Sequence, residues 1–507
     1  MTGGKEVKAV SDFGRFLPAA FVFAFAFKLI LAAVAPMSGD EAYFLIWGRH
    51  PDLGFYDHPP MVGWLASLLL LFSDAEWWVR LPAVLASLLV AWGIYRLLRD
   101  TDEEKAALAA LLYLAAPVSL FNVLLTTDTP LIVASFFSAA FLWRGEQSGA
   151  RAHYVWAGVW LGLAFLSKYF AALLLLAYGL LWLTGPRDAR RNRNFLWLLL
   201  ATLPFLALSL YWNATHCWAN IMFNVFNRHG DAGFAPSRPL LYAAALVYLL
   251  TPPLLLDLFR SRSQPVDPPS RFFGLLLGVP YGVFAVLSWV KVIGLHWLLS
   301  FYAFFFLFAA WRLDAARLRK ALRFMVGLSG VHLLLIVLFA LLPLETFQRW
   351  SKYDGMVLML RPQLILAELN PFADRYVFAT DGYSASAIMA YHARREFIVF
   401  GEASSHARHD DIMTDFRALD GKNILILLKK EPEFDKFGPY FRSVTFQDFT
   451  VAGARFYLVL GQGFDYARYR QQVLRAVKEK YYAIPRFLPM ARCYFCERYF
   501  PAEACRP

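Results

Sequence analysis

Apolar stretches close to the length of a bilayer crossing recur through the first two thirds of the chain. They fall at 16–36, 78–96, 104–124, 129–143, 154–168, 170–184, 195–212, 239–258, 272–290, 296–311 and 324–343. A helix needs roughly 20 such residues to cross the hydrocarbon core, so the pattern predicts about eleven transmembrane helices. Residues 61–72 are apolar but short and follow Pro59-Pro60, which fits an interfacial or re-entrant helix. The first stretch lacks a convincing small-residue cleavage site and is long enough to span, so it reads as a retained helix and not a signal peptide. From about residue 344 the pattern changes. Short apolar runs at 376–379, 397–400, 423–428 and 454–460 alternate with helix-like segments at 384–393 and 410–419, as in a small α/β domain. The expected fold is therefore mainly α and polytopic. A transmembrane domain covers 1–343, with a first outer loop at 37–77, and an α/β domain covers 344–507. No internal repeat or low-complexity tract interrupts this plan.

Composition agrees: 59% of the 507 residues are hydrophobic and only 17% charged, too apolar for a soluble enzyme of this size. A net charge of +12 would suggest nucleic acid in a soluble protein. Here the basic residues sit mostly between apolar spans, where they set orientation, and no nucleic-acid partner is expected. With the N-terminus cytoplasmic, the inner segments hold twenty lysines and arginines, from Lys5 and Lys8 to Arg319, Lys320 and Arg323. The outer side holds six: Arg49, Arg80, Lys168, Arg228, Arg238 and Lys291. That asymmetry favours an N-in topology, which puts the first loop and the tail outside. The expected location is the plasma (inner) membrane, multi-pass.

Orientation gives the polar residues a common side. The first loop, PMSGDEAYFLIWGRHPDLGFYDHPP, brings Asp40, Glu41, Asp57 and His58 to the outer face. Later outer turns add Asp128 in Thr127-Asp128-Thr129-Pro130, Lys168 in Ser167-Lys168-Tyr169, and Lys291 and His296. Ionisable residues beside lipid are costly and usually functional, so the first loop is the candidate active-site loop.

These residues carry a resemblance. An Asp-Glu pair just after the first span, Asp57-His58-Pro59-Pro60 some sixteen residues on, Thr-Asp-Thr-Pro opening a later span, Ser-Lys-Tyr and an outward tail resemble the GT-C membrane glycosyltransferases. Within them, the chain is similar to the protein O-mannosyltransferase and lipid A aminoarabinose transferase superfamily (glycosyltransferase family 39-like). The resemblance implies an inverting transfer of a hexose or pentose from a polyprenyl-phosphate carrier to a hydroxyl at the outer face. The acceptor would be lipid A, another glycolipid, a polysaccharide or, alternatively, a protein. It also implies Asp40 as the base that deprotonates the acceptor. The phosphate leaving group needs positive charge, and donor contacts would come from Glu41, Asp57, His58, Asp128, Lys168, Lys291 and His296. The aminoarabinose transferases carry a lysine before the paired prolines where this chain has His58, so Lys168 takes more of the phosphate role.

Each residue also has a bland reading. Asp40 could cap the helix that follows it, and Glu41 could only favour the helix dipole. Asp57 and His58 could close a turn, Asp128 could cap a helix that opens with Pro130, Lys168 could snorkel, and Lys291 and His296 could merely be solvated. Asn213-Ala214-Thr215 fits a glycosylation acceptor but sits close to a span end. Cys493-x-x-Cys496 with Cys505 allows a disulfide or ordinary packing, while a structural zinc site normally takes four ligands. No metal ligands are assigned and no cofactor is firmly expected, with a divalent metal left open. The rival function is a transporter or flippase of polyprenyl-linked sugars. It would place charged or broken-helix features near the midplane, often in related halves, and this chain places them at one face.

Overall fold

A computed structural model describes residues 12–227, 233–501 and 503. Lys5, Lys8, Arg228 and Cys505, named above, lie outside the described residues. The chain forms two compact units. One comprises Met1–Val34, Ser73–Ala207 and Ala232–Leu338 and is helical. The other comprises Ala35–Phe72, Leu208–Asp231 and Phe339–Pro507 and carries the sheet. The first loop therefore folds with the C-terminal segment, and not with the helical domain in which the sequence places it.

Every one of the eleven apolar stretches holds a helix. Among the described residues, six helices are by length and composition alone long and apolar enough to cross: Phe16–Val34, Glu76–Leu98, Ala189–Thr215, Pro268–Leu287, Leu295–Arg312 and Ala315–Leu341. The pair Ser237–Leu250 and Pro252–Arg260 makes a seventh if counted as one span, bent by 90°. The helix ends and breaks in this region have local physical causes. Helix Glu103–Ala115 stops ahead of Pro117, since a residue before proline is pushed out of the helical region. Thr251 takes a φ of +57° between two helices, the second opening with Pro252-Pro253. Lys168 is extended, with φ −164° and ψ 143°, and ends helix Arg151–Ser167 before Ala171–Thr184 begins. The expected short helix after Pro60 runs over Met61–Leu70.

Within the helical unit, small residues and buried hydroxyls fix the packing, as expected where hydrophobicity alone does not drive helices together. A Cβ on Gly158 would run into the Leu198 carbonyl, and one on Gly162 into the Phe205 ring. Thr202 Oγ1 donates to the Gly158 carbonyl at 3.0 Å, and Ser138 Oγ to that of Ala157 at 2.8 Å. Lys28, in the first span, turns its ammonium to the carbonyls of Ser119 (2.6 Å) and Asn122 (2.7 Å). Those acceptors satisfy a cation that hydrocarbon would not.

The sheet unit has five strands: β1 Val377–Thr380, β2 Ile398–Val399, β3 Ile424–Leu428, β4 Phe441–Val451 and β5 Ala454–Phe464. Their order is β2-β1-β3-β5-β4, with β2, β1 and β3 parallel and β5 and β4 antiparallel. β3, Ile-Leu-Ile-Leu-Leu, is buried throughout, as a strand covered on both faces must be. β4 and β5 are joined through Ala452 and Gly453, both with positive φ (+46° and +78°), the conformation a two-residue hairpin turn requires. β4 was not anticipated. It is an edge strand whose exposed positions include Arg442, Thr445, Gln447 and Asp448, polar residues that protect an edge and hide the strand pattern.

Cys493 is disulfide-bonded to Cys217, 276 residues away, and Cys496 is also disulfide-bonded. The open question of the three C-terminal cysteines is thus decided for these two in favour of disulfides, Cys493 with Cys217 in the segment Leu208–Asp231. Cys217→Ser is expected to destabilise the sheet unit by about 2–5 kcal/mol. Urea unfolding under non-reducing conditions checks this, and under reducing conditions wild type and variant should unfold alike.

Candidate active site

Ser38-Gly39-Asp40-Glu41 opens helix Gly39–Arg49 with a reciprocal cap. Ser38 Oγ accepts from the Glu41 amide at 3.3 Å, and Glu41 Oε2 accepts from the Ser38 amide at 3.4 Å. This capping box satisfies two donors at the helix start. Glu41, buried, is therefore a structural cap. Asp40 is not needed for capping and its side chain is exposed in the first turn. There Tyr383 Oη donates to Asp40 Oδ1 at 3.0 Å. Glycine allows the approach: a Cβ on Gly39 would strike the Ser384 side chain, next to Tyr383 in helix Tyr383–Ala393. Burial, then the Asp40 carboxylate and the hydrogen bond to it, push the Tyr383 phenol up, so it stays a donor.

An acidic and aromatic cluster surrounds this pair. Tyr43, one turn on from Asp40, packs on Tyr383 with ring centres 5.0 Å apart and donates to Asp410 Oδ2 at 3.3 Å. Asp57 is buried, and its charge helps raise the phenols of both Tyr383 and Tyr43. Burial and then Asp411 push Asp410 up to about 7, against the opposing pull of Arg408 and the Tyr43 hydrogen bond. His409 packs among Trp47 (5.5 Å), Phe55 (5.3 Å) and Tyr43 (6.1 Å). Burial, then His50 and His216, lower it to about 3. Its Nδ1 has no hydrogen-bond partner among the described residues, which suits a neutral ring.

The segment carrying Asp57 and His58 is pinned through its backbone. The Phe55 amide donates to the His58 carbonyl at 3.0 Å. Asn220 Nδ2 donates to the carbonyls of Tyr56 (3.0 Å) and His58 (3.3 Å), and Asn224 Nδ2 to that of Asp57 (3.2 Å). Asn213 in turn accepts from the Asn220 amide through Oδ1 at 3.1 Å. Asn213 is buried, so its place in an Asn-x-Thr triplet reflects this internal bonding and not a glycosylation acceptor.

In the helical unit, Asp128 and Lys168 form one buried ion pair. Lys168 Nζ lies 2.9 and 3.0 Å from the two carboxylate oxygens and 5.0 Å from the centre of the Phe170 ring. Two residues assigned separately to substrate are thus each other's partner. Lys168→Ala is expected to cost about 3–5 kcal/mol, because it leaves a buried carboxylate unpaired. Asp128→Asn with Lys168→Met should recover most of that, and thermal unfolding of the three variants measures the coupling. Lys291 follows helix Pro268–Leu287, and exposed His296 lies in the turn Leu295–Leu298. Among the described residues no group of three His, Cys, Asp or Glu side chains comes together for a metal ion. Tyr383 and Asp410 escaped sequence reasoning: they lie in a helix or at a helix edge with no motif, and 343 residues separate Asp40 from Tyr383.

Residues 57–212 match the family model described as dolichyl-phosphate-mannose-protein mannosyltransferase. The matched stretch contains Asp57, His58, Asp128 and Lys168, and Asp40 and Glu41 precede it. The chain is 31% identical over 184 residues to lipid A galacturonosyltransferase RgtD of Rhizobium johnstonii, covering 35% of this chain and 38% of that protein. It is 29% identical over 188 residues to putative mannosyltransferase YycA of Bacillus subtilis, covering 36% and 27%. The chain thus spans well under half the length of the curated relatives it matches. Among solved structures, apo ArnT from Cupriavidus metallidurans superposes with a TM-score of 0.63 at 15% identity, covering 89% of this chain and 98% of that one. The same protein bound to undecaprenyl phosphate gives 0.60. This is a multi-pass membrane protein with the GT-C fold of integral-membrane glycosyltransferases.

Proposed function

We propose that the chain is an inverting glycosyltransferase that moves a sugar from a polyprenyl-phosphate carrier to a hydroxyl of an envelope glycolipid or polysaccharide, with Asp40 as base. The observation that carries this reading is the division of labour at the start of helix Gly39–Arg49. Ser38 and Glu41 do the capping, while Asp40 presents an exposed carboxylate held by Tyr383. In the reaction the acceptor oxygen attacks the anomeric carbon as its proton passes to Asp40. The bond from that carbon to the phosphate oxygen breaks, and the polyprenyl phosphate leaves with the electron pair. Two Lys168 donors hold Asp128, and the third is the one to offer a phosphate oxygen. The likeness to a lipid A galacturonosyltransferase supports a glycolipid acceptor. The description of the matched family supports a protein acceptor as the second reading.

The chemistry belongs on the extracytoplasmic side of the inner membrane. The charge asymmetry between loops supports an N-terminus inside. The disulfide from Cys217 to Cys493 supports an oxidising compartment for the sheet unit. Purified protein is to be given radiolabelled polyprenyl-phosphate sugars with envelope lipid extract or with unfolded secreted protein. Label moving to lipid supports the main reading, and label moving to protein the second. Carrier crossing liposomes with its sugar-phosphate bond intact would replace both with a transporter.

A further inference from the structure

A groove of about 400 Å³ opens on the side of the helical unit, against helices Leu81–Leu98, Asp128–Ser148 and Arg151–Ser167. Its floor is apolar, with Gly93, Phe136 and Ala140, and its rim carries Arg96 and Arg144 beside Trp92 and Trp156. Both tryptophans are about half exposed, at 50% and 52%, as rings that settle at a membrane interface are. The Arg96 guanidinium lies 5.8 Å from the Trp92 ring.

The acids nearest to these arginines in sequence are already engaged. Glu146 accepts from Tyr154 Oη at 2.6 Å and from Arg191 Nε at 2.9 Å. Glu103 accepts from Tyr95 Oη at 3.3 Å, Glu104 from Arg319 at 2.6 Å, and Asp102 from the Lys105 amide at 3.0 Å. Neither Arg96 nor Arg144 is in an ion pair among the described residues, although Arg99, Arg191 and Arg319 are. Two guanidiniums without a carboxylate thus stand at the mouth of one apolar groove. Guanidinium matches phosphate geometry through paired donors, and a basic pocket between spans is how lipid head groups are recognised.

We propose that this groove is a binding site for one anionic phospholipid, its phosphate held by Arg96 and Arg144 and one acyl chain lying along Phe136 and Ala140. The site is independent of the transfer reaction. Charge complementarity selects an anionic lipid over a zwitterionic one. The choline head group of a neutral lipid brings its own cation to the same phosphate, and so gains less from two arginines.

The test is native mass spectrometry of the full-length, delipidated protein with dioleoylphosphatidylglycerol or dioleoylphosphatidylcholine. Wild type is expected to retain one phosphatidylglycerol at activation energies that strip phosphatidylcholine, and Arg96→Gln with Arg144→Gln to weaken that retention at least tenfold. Arg144 is exposed, so Arg144→Glu alone keeps the test valid if the double variant does not fold, and it should also lose the lipid. Arg187→Gln with Arg193→Gln, two exposed arginines away from the groove, should change nothing. Equal retention of both lipids, or equal loss in the control, overturns the proposal. So does one-for-one displacement of phosphatidylglycerol by polyprenyl phosphate at lower concentration, which would assign the groove to the carrier lipid.

Discussion

Asn in place of Asp40 is expected to lower sugar transfer by about 10²–10⁴-fold while leaving the fold and donor binding intact. That range is what a positioned general base contributes. Asn keeps the size of the side chain and can still accept from Tyr383 Oη through its amide oxygen, so the helix start is preserved. It cannot take a proton from an acceptor hydroxyl. The cap lies in Ser38 and Glu41, which is why a loss of activity in this variant is not to be traced to an unravelled helix. Glu41→Gln is the complementary control. Glutamine still satisfies the capping box, so transfer should fall little. Tyr383→Phe removes one hydrogen bond to a charged group, worth about 1.5–3 kcal/mol, and should lower kcat about tenfold or more with KM for the donor nearly unchanged. Full activity in Asp40→Asn would remove Asp40 from the chemistry.

The hydrophobic pattern located the long apolar helices of the membrane region, because burial in lipid demands long apolar runs and little else. It did not tell a crossing from a shorter or broken helix. Pro117 and Pro252-Pro253 were the readable signs of the breaks, and the extended conformation of Lys168 was not readable at all. In the tail, β1, β2, β3 and β5 announced themselves by continuous apolar runs, whereas β4 alternates polar residues on an exposed edge. Of the site, Asp40 was legible because an acid beside a span has few structural uses. Ser38-x-x-Glu41 has the spacing of a capping box, a role that the sequence reading did not assign and the structure forms. The partners were not legible. Tyr383 reaches Asp40, and Cys217 reaches Cys493, only once the chain has folded over hundreds of residues. The Asp128–Lys168 pair, 40 residues apart, likewise depends on how two helices pack.

Stability of the sheet unit between about pH 4 and 6.5 is expected to rest on a balance between neighbours, Asp410 and His409, that titrate with opposite sign. Asp410 is pushed up to about 7 from 3.8 by burial and Asp411, so across that window the folded chain holds a proton that the unfolded chain has released. Its contribution is full below pH 4 and is lost as pH rises through 7. His409 is lowered to about 3 from 6.5 by burial and by His50 and His216, so the unfolded chain binds the proton that the folded chain lacks. Its contribution is full above 6.5 and is lost as pH falls toward 3. Each slope approaches about 1.4 kcal/mol per pH unit, and the two offset. Asp411, also raised by burial against the pull of Arg408, Tyr482 and Arg498, adds a slope of the same sign as Asp410. Each single variant should unmask the other group. Relative to wild type, Asp410→Asn should gain about 2–3 kcal/mol of stability on going from pH 4.5 to 6.5, and His409→Gln should lose a similar amount. Urea unfolding of the full chain, followed by tryptophan fluorescence with Trp47 beside His409 as the nearest reporter, reads both slopes. Two variants that keep the wild-type slope would mean that neither group is held in the protonation state its burial imposes.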